Sequence, residues 1–126
     1  MPLSSEVTAF MTMAAAKKKD EALTRLREEA WVGDAVLALY VRRWILREHG
    51  KMKGEMFVRF TSNDFLTRKG NPTAVEAEIG RVYEAEGEQA AFDWIEEFLF
   101  PIFQDQEKAY QRKLLTQTGR KGKKRA

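Results

Sequence analysis

An almost wholly apolar run occupies residues 30–41, and Asp34 is its one carboxylate. No proline interrupts the run, and this pattern is typical of a helix that is buried on most of its sides. Asp20 as an N-cap and Gly50 as a C-terminal stop predict a helix over about 21–49. A carboxylate inside such a helix is costly unless it is paired, protonated or bound to a metal. Asp34 is therefore the first candidate functional residue.

The other apolar positions predict further helices and no strand, because no segment alternates apolar and polar residues with a period of two. Ser4 and Ser5 are possible caps for a short first helix, which the lysines at 17–19 would close. Later helices are predicted over about 55–68, 72–86, 88–100 and 101–115. The chain therefore fits one all-α domain over residues 1–115, followed by a basic tail over 116–126 that is predicted to be disordered.

Composition narrows the classes of function. The chain of 126 residues has no cysteine and one histidine, which excludes disulfides, thiolate metal sites and multi-histidine zinc sites within one chain. No apolar stretch has the length of a membrane span, and the N-terminus lacks the apolar core of a secretory signal. We therefore expect a cytoplasmic protein without a membrane partner.

The net charge of +3 is unevenly distributed. The tail holds five of the 22 Lys and Arg residues and no acid, which leaves 17 basic against 19 acidic residues in the body. The body is positive over residues 42–69 and acidic over 76–107, where Arg81 is the only basic residue. This layout favours one cationic face for phosphates. The alternative is that the charges simply solvate helix surfaces.

Two segments resemble the active-site helices of the ribonuclease III family. Residues 33–37 (GDAVL) and their apolar flanks resemble the signature helix, and residues 75–83 (VEAEIGRVY) resemble the second catalytic helix. Between them, residues 61–66 (TSNDFL) are a weaker match to the intervening helix. The resemblance implies a Mg²⁺-dependent endoribonuclease that cleaves double-stranded or structured RNA to 5′-phosphate and 3′-hydroxyl ends, with ribosomal RNA maturation as one possible role.

The resemblance also implies that Asp34 and Glu76 are catalytic residues and ligands of one Mg²⁺, for which Mn²⁺ is expected to substitute. At two other positions where larger family members carry acids, this chain has Ala30 and Thr73. Mini-ribonuclease III, the family variant without a separate double-stranded-RNA-binding domain, is similar at both places. We therefore expect a metal site rich in water, and the alternative is an inactive relic.

Three nearby acids are possible replacements for the missing carboxylates: Glu28, Glu29 and Asp64. Glu29 precedes Asp34 by five residues and so lies about 140° away around a helix, which disfavours it. Only about 42 positions separate Asp34 from Glu76. This spacing predicts that the extended RNA-contacting loop of Mini-ribonuclease III is missing, which leaves the identity of the RNA open.

Double-stranded RNA is recognised by its shape, through phosphates and 2′-hydroxyls. Basic and small polar residues near the predicted active helices are therefore candidate RNA contacts: Arg47, Lys51, Lys53, Arg59, Thr61, Ser62, Asn63, Arg68 and Lys69. The basic tail would add sequence-independent affinity, or would only keep the chain soluble.

A symmetric homodimer is expected from the resemblance, in which the signature helix packs at the subunit interface. The apolar face around Trp31, Ala35, Leu39 and Tyr40 agrees with a dimer and equally fits an intrachain core. Two other functions fit the sequence. One is a catalytically inactive, RNA-binding subunit of a ribosome or of its assembly machinery, and the other is a helical DNA-binding or protein-interaction domain.

Overall fold

The computed structural model describes the backbone of residues 4–124 and the side chains up to residue 117, and within these limits the chain is entirely helical apart from its connections. The all-α prediction is therefore confirmed. The helices in chain order are α1 (Ser5–His49), α2 (Gly54–Thr61), α3 (Asn63–Thr67), α4 (Pro72–Glu86), α5 (Glu88–Phe98) and α6 (Phe100–Lys124). None of these helices combines the length and the apolar character that crossing a bilayer requires.

α1 is one helix of 45 residues rather than the two helices that the sequence predicts. Ser4 caps its N-terminus as expected, and Gly50 ends it with a φ of 71°. Asp20 lies in its interior and is not an N-cap. The prediction of a break at 17–20 is wrong because alanines and lysines at 14–19 are strong helix formers, and no glycine or proline precedes Gly33 within the helix.

Ser62 divides the helix predicted over 55–68 into α2 and α3. Its backbone is extended, with φ −69° and ψ 155°. Its Oγ accepts a hydrogen bond of 3.2 Å from the amide of Phe65, which starts the second helix. The bend lets Phe60 and Phe65 face the same core, with ring centroids 5.3 Å apart.

α6 continues beyond its predicted end at Leu115 to Lys124. The helical backbone therefore covers much of the segment for which the sequence predicts disorder, since no proline interrupts it. The basic side chains of the tail lie outside the described side chains, as do residues 125 and 126 altogether. The role of the tail therefore stays a prediction.

The hydrophobic core has two connected parts. Where the end of α1 meets α2, α3 and α6, the rings of Phe60 and Phe103 stack 4.0 Å apart, and Trp44 meets Phe103 edge to face. The second part joins α1, α4 and α5. Its buried residues are Val36, Leu37, Val75, Ile79, Ala91, Ile95 and Leu99.

The first 21 residues of α1 form a projecting arm, residues 5–25. Every residue of the arm is exposed except Ala14, which is half-buried. α4 runs antiparallel to α1, since Gly80 meets Glu29 while Glu76 meets Gly33, and it ends at Glu86. The arm therefore reaches past the end of its neighbouring helix, over a length of about 32 Å at 1.5 Å per residue.

Candidate functional site

Two glycines set the distance between α1 and α4. A Cβ added to Gly33 would lie 1.7 Å from the carbonyl oxygen of Glu76, and one added to Gly80 would lie 2.1 Å from the carbonyl oxygen of Glu29. The two backbones are therefore in direct contact at both points. Each glycine costs roughly 1 kcal/mol of helix propensity relative to alanine. Gly33 permits this close approach on α1, and Gly80 is its counterpart on α4.

This contact brings Asp34 and Glu76 together. The backbone of Glu76 touches Gly33, the residue before Asp34, and the two carboxyl groups are close enough to share a hydrogen bond. The Asp34 side chain is exposed, and that of Glu76 is half-buried. The side chains thus meet at the edge of the helix pair, where solvent and a large substrate have access.

The pKa of Glu76 is raised from 4.5 to about 7. The largest cause is burial, which penalises the charged carboxylate, and the hydrogen bond to Asp34 and the negative charge of Asp34 add to it. No ion pair in the described part of the chain involves either carboxylate. The pair therefore lacks a compensating protein cation.

The other acids do not join this pair. The carboxylate of Glu29 lies 2.6 Å from a guanidinium nitrogen of Arg81, which also binds Glu78. Ala30 is buried on the side of α1 that faces α4. Among residues 4–124, no cluster of three or more Asp, Glu, His or Cys side chains is suited to a metal. The carboxylates that the sequence offers as replacements are therefore not assembled at this site.

Two converging carboxylates without a cationic partner fit a Mg²⁺ site in which the protein supplies only two ligands. Mg²⁺ prefers oxygen ligands, keeps several of its own waters and is usually bound through one or two carboxylates together with phosphate. The exposure of Asp34 leaves room for those waters. The donor set is therefore compatible with the ion, and the roles of Asp34 and Glu76 as metal ligands and catalytic residues stay predictions.

Arg59, one of the predicted RNA contacts, is already engaged within the fold. Its guanidinium makes two hydrogen bonds of 2.8 Å to the carboxylate of Glu107 and lies 4.0 Å from the ring centroid of Tyr110. The side chain of Gln106 donates a 3.0 Å hydrogen bond to the Arg59 carbonyl. Arg59 therefore joins α2 to α6, and its Nε and Nη2 donors are already engaged by Glu107.

Two of the predicted small polar contacts also serve the backbone. The Thr61 hydroxyl donates to the carbonyl of Phe57 at 2.7 Å, and Ser62 caps α3. Lys53 is half-buried at the N-cap position of α2. All three residues are therefore half-buried in the fold, and each remains partly accessible to solvent.

The remaining predicted RNA contacts are exposed: Arg47, Lys51, Asn63, Arg68 and Lys69. Arg68 and Lys69 directly precede α4, at the helix end that carries Glu76. The ammonium group of Lys69 lies 5.0 Å from the ring centroid of Phe98. Of these exposed residues, Arg68 and Lys69 are nearest to Glu76 along the chain, and the RNA-binding roles of all the predicted contacts stay predictions.

An open apolar groove lies on the other side of α1, between this helix and the α4–α5 pair. Its volume is about 530 Å³, and it is lined by Trp31, Val32, Ala35, Val36, Leu39, Tyr83, Glu88 and Phe92. We call it the α1 groove. Trp31 is 79 % exposed, whereas Tyr40 is buried. The face around Trp31 is therefore not intrachain core, and Tyr40 does not belong to it.

Sequence reasoning missed the contribution of Gly80 and the single-helix form of α1. A glycine in the middle of a helix was the available signal at residue 80, because that position costs stability unless something approaches closely.

No protein-family model, curated protein or solved structure matches the chain. The family resemblance therefore rests on the motif residues alone.

Proposed function

We propose that this protein is a metal-dependent endoribonuclease of the ribonuclease III type, which cleaves double-stranded or structured RNA to 5′-phosphate and 3′-hydroxyl ends. The observation that supports this most is the meeting of Asp34 and Glu76 across the Gly33–Gly80 contact. Helix backbones in contact are costly to build, and here they hold two carboxylates together without a cation. That arrangement lowers stability in the absence of a ligand, which suits a binding site better than a structural element.

Asp34 and Glu76 would hold the metal. When bound, Mg²⁺, or Mn²⁺ in its place, would supply charge stabilisation for the scissile phosphate and would lower the pKa of a water. Asp34, which is exposed, would face the RNA and orient water beside the phosphate. Glu76 must lose its proton before it binds a cation, since its pKa is about 7. Metal affinity is therefore expected to rise with pH through neutrality.

RNA binding is assigned to the exposed basic residues. Arg68 and Lys69 precede the N-terminus of α4, where they can reach phosphates of an RNA positioned over Glu76. Arg47 and Lys51 extend the same type of contact toward the end of α1. Recognition by phosphates and shape requires no base-reading side chains.

A symmetric homodimer is part of the proposal. The α1 groove leaves apolar surface open on one subunit, and a second subunit is the expected cover. Two subunits would supply two sites, one for each strand of a duplex.

The test is a Mg²⁺ titration of cleavage on a long RNA duplex. Asp34→Asn and Glu76→Gln should each lower the cleavage rate by at least about 100-fold, because a site with two anionic ligands loses half of its charge. Glu78→Gln is the matched control, since Glu78 lies on the same helix but pairs with Arg81. It should cleave at nearly the wild-type rate. If both site variants cleave like wild type, the assignment of these residues is wrong.

A non-catalytic RNA-binding subunit is the second candidate. The observation in its favour is that Ala30 and Thr73 replace acids and that no third carboxylate joins the pair in the described chain. A wild-type protein that binds the duplex but is inert at every Mg²⁺ and Mn²⁺ concentration would establish this function in place of the first.

A further inference from the structure

One side of α1 carries an exposed stripe that begins in the arm and ends in the α1 groove. At 100° per residue, its members fall within about 80° of arc around the helix. They are Phe10, Met13, Lys17, Glu21, Thr24, Glu28, Trp31, Ala35 and Leu39, and all of them are exposed. We call this row the α1 stripe. Phe10 and Met13 are 73 % and 71 % exposed, so the arm end of the stripe has no cover within the described chain.

Over residues 10–35, the stripe is complementary to itself when it is reversed. If a second α1 lies antiparallel to the first, with a two-fold axis between residues 22 and 23, each residue faces the one that lies equally far on the other side of the axis. Phe10 then faces the small Ala35, Lys17 faces Glu28, and Glu21 faces Thr24, whereas Leu39 beyond them faces Glu6. A large ring meets a small side chain, and opposite charges meet twice. A two-fold axis requires this kind of match, because one surface must fit itself.

The α1 groove is large enough to accept the side chains of Phe10 and Met13 from the arm of a second chain. The α1 groove has a volume of about 530 Å³ and contains Trp31, Ala35 and Leu39 of the stripe. In the antiparallel arrangement, Phe10 and Met13 of one chain lie over this groove of the other. This is the usual way in which an amphipathic helix fills an apolar groove.

Charge excludes a phosphate-rich partner for the stripe. Glu21 and Glu28 lie in the stripe itself, where they would face the phosphates of RNA or of an anionic membrane. Only one stripe cation, Lys17, opposes them. A partner with an acid opposite Lys17 and a base opposite Glu28 fits better, and a reversed copy of α1 offers both.

We infer that the arm of each chain docks antiparallel along α1 of a second copy, and that Phe10 and Met13 fill the partner's α1 groove. The inference rests on the dimer in the proposed function and adds its register and the role of the arm. It does not rest on the cleavage chemistry. Asp34 lies about 100° around the helix from the middle of the stripe, so the dimer leaves the carboxylate pair open.

The first test is a charge exchange, measured as a dimer dissociation constant by sedimentation velocity. Lys17→Glu and Glu28→Lys should each weaken dimerisation by about tenfold, because each change spoils two ion pairs in the dimer. The double variant should recover to within about threefold of wild type. Leu23→Lys is the control, since Leu23 is exposed near the axis but points away from the stripe. Unchanged affinity in both single variants, or no recovery in the double variant, would overturn the register.

The second test uses the absence of native cysteine. Chains with Phe10→Cys and chains with Ala35→Cys are mixed and oxidised. Disulfides should form between the two kinds of chain and not within one kind, because like positions lie about 37 Å apart along the antiparallel pair. Cross-linking of Ala35→Cys chains to each other would place the axis in the groove and overturn the docking of the arm, while leaving a dimer. A wild-type monomer at micromolar concentration, or binding of the arm to anionic vesicles that Phe10→Asp abolishes in a monomeric protein, would overturn the inference as well.

Cleavage of duplex RNA is measured separately on the same proteins. If the wild-type protein does not cleave duplex RNA, the proposed chemistry is contradicted, and the cross-linking result is not affected. The cleavage chemistry and the docking of the arm are therefore tested separately, whereas a monomeric wild type would count against both the proposed dimer and the docking.

Discussion

The two halves of α1 have the same secondary structure but differ in burial: the second half is packed against the domain, and the first half is exposed. All of the buried residues of the helix, from Ala30 to Ile45, lie in its second half, where it packs along α4. The arm in its first half has none. In the second half, tertiary packing stabilises the helix even though Gly33 weakens it locally. In the first half, the helix depends on a run of alanines and lysines and on the Ser4 cap.

This difference shows how one helix can carry a rigid site and a separate contact surface. The crossing with α4 allows little adjustment, because backbone meets backbone at Gly33 and Gly80. Changes there should propagate to the carboxylate pair. Changes in the arm should leave the domain intact and alter only what the arm binds.

The largest effect is expected from Gly80→Ala. The new Cβ would lie 2.1 Å from the carbonyl oxygen of Glu29, a backbone atom that cannot move without displacing α1. We expect a loss of about 3 kcal/mol or more in the free energy of unfolding, measured by urea denaturation. Gly54→Ala is the matched control, because a Cβ at Gly54 meets nothing within 4 Å. If the two variants are equally stable, the helices are not in backbone contact.

Much of the fold follows from local sequence. The limits of α4 follow from Asn71, Pro72 and Gly87, which cap, start and stop a helix by their own chemistry. The division at Ser62 was not predicted, because a serine within an apolar helical pattern does not by itself mark a boundary. The continuity of α1 was missed because Asp20 is a favoured N-cap residue, whereas the alanines and lysines before it carry the helix through this position. Such ambiguities are settled by the surrounding chain.

Less of the candidate site follows from sequence. Spacing alone could not show that Asp34 and Glu76 meet, since they lie on different helices, and the family resemblance supplied that expectation. The occupied state of Arg59 was also hidden, because its partners Glu107 and Tyr110 are far away in sequence. From sequence alone, a basic residue in a positively charged stretch cannot be told apart from one that pairs with a carboxylate elsewhere in the fold.

The next effect concerns pH and the metal-free stability of the site. The pKa of Glu76 in the folded protein is about 7, above its ordinary value of 4.5, so the folded state binds more protons between these pH values. The free energy of unfolding should therefore fall as pH rises from about 4.5 to 7. Glu76→Gln should remove the fall. After a discount for solvent screening at this half-buried site, the variant should be more stable than wild type by on the order of 2 kcal/mol at pH 8 and nearly equal to it at pH 4.

The measurement is chemical denaturation in chelator at both pH values. Adding Mg²⁺ at pH 8 should then stabilise wild type and not Glu76→Gln, because only wild type keeps both carboxylates. A variant that is less stable than wild type at pH 8 in chelator would contradict the raised pKa.

A smaller effect is expected at the junction of α2 and α6. Arg59→Lys keeps the charge but loses the paired hydrogen bonds to Glu107, whose side chain is largely shielded from solvent. We expect a loss of about 1–2 kcal/mol, with little change in RNA affinity. The control is Arg43→Lys, because Arg43 pairs with Glu88 at an exposed site. A strong loss of RNA binding with unchanged stability would return Arg59 to the RNA surface.

The smallest effect on the folded domain is expected from Phe10→Ala in the arm. Phe10 is 73 % exposed and lies beyond the end of α4, so its removal takes away little packing within one chain. In dilute protein, where monomers predominate, thermal unfolding should shift by less than about 0.5 kcal/mol. Leu37→Ala provides the comparison in the other half of the helix, because Leu37 is fully buried and its truncation should cost about 2–5 kcal/mol. The contrast between the variants should depend on concentration. As the protein becomes dimeric, wild type should gain stability by mass action while Phe10→Ala gains less, because the ring no longer enters the partner's groove. Melting both variants over a 100-fold range of concentration therefore measures the arm directly. If Phe10→Ala is destabilised equally at every concentration, the arm packs against its own domain, and the two halves of α1 are less different than their exposure indicates.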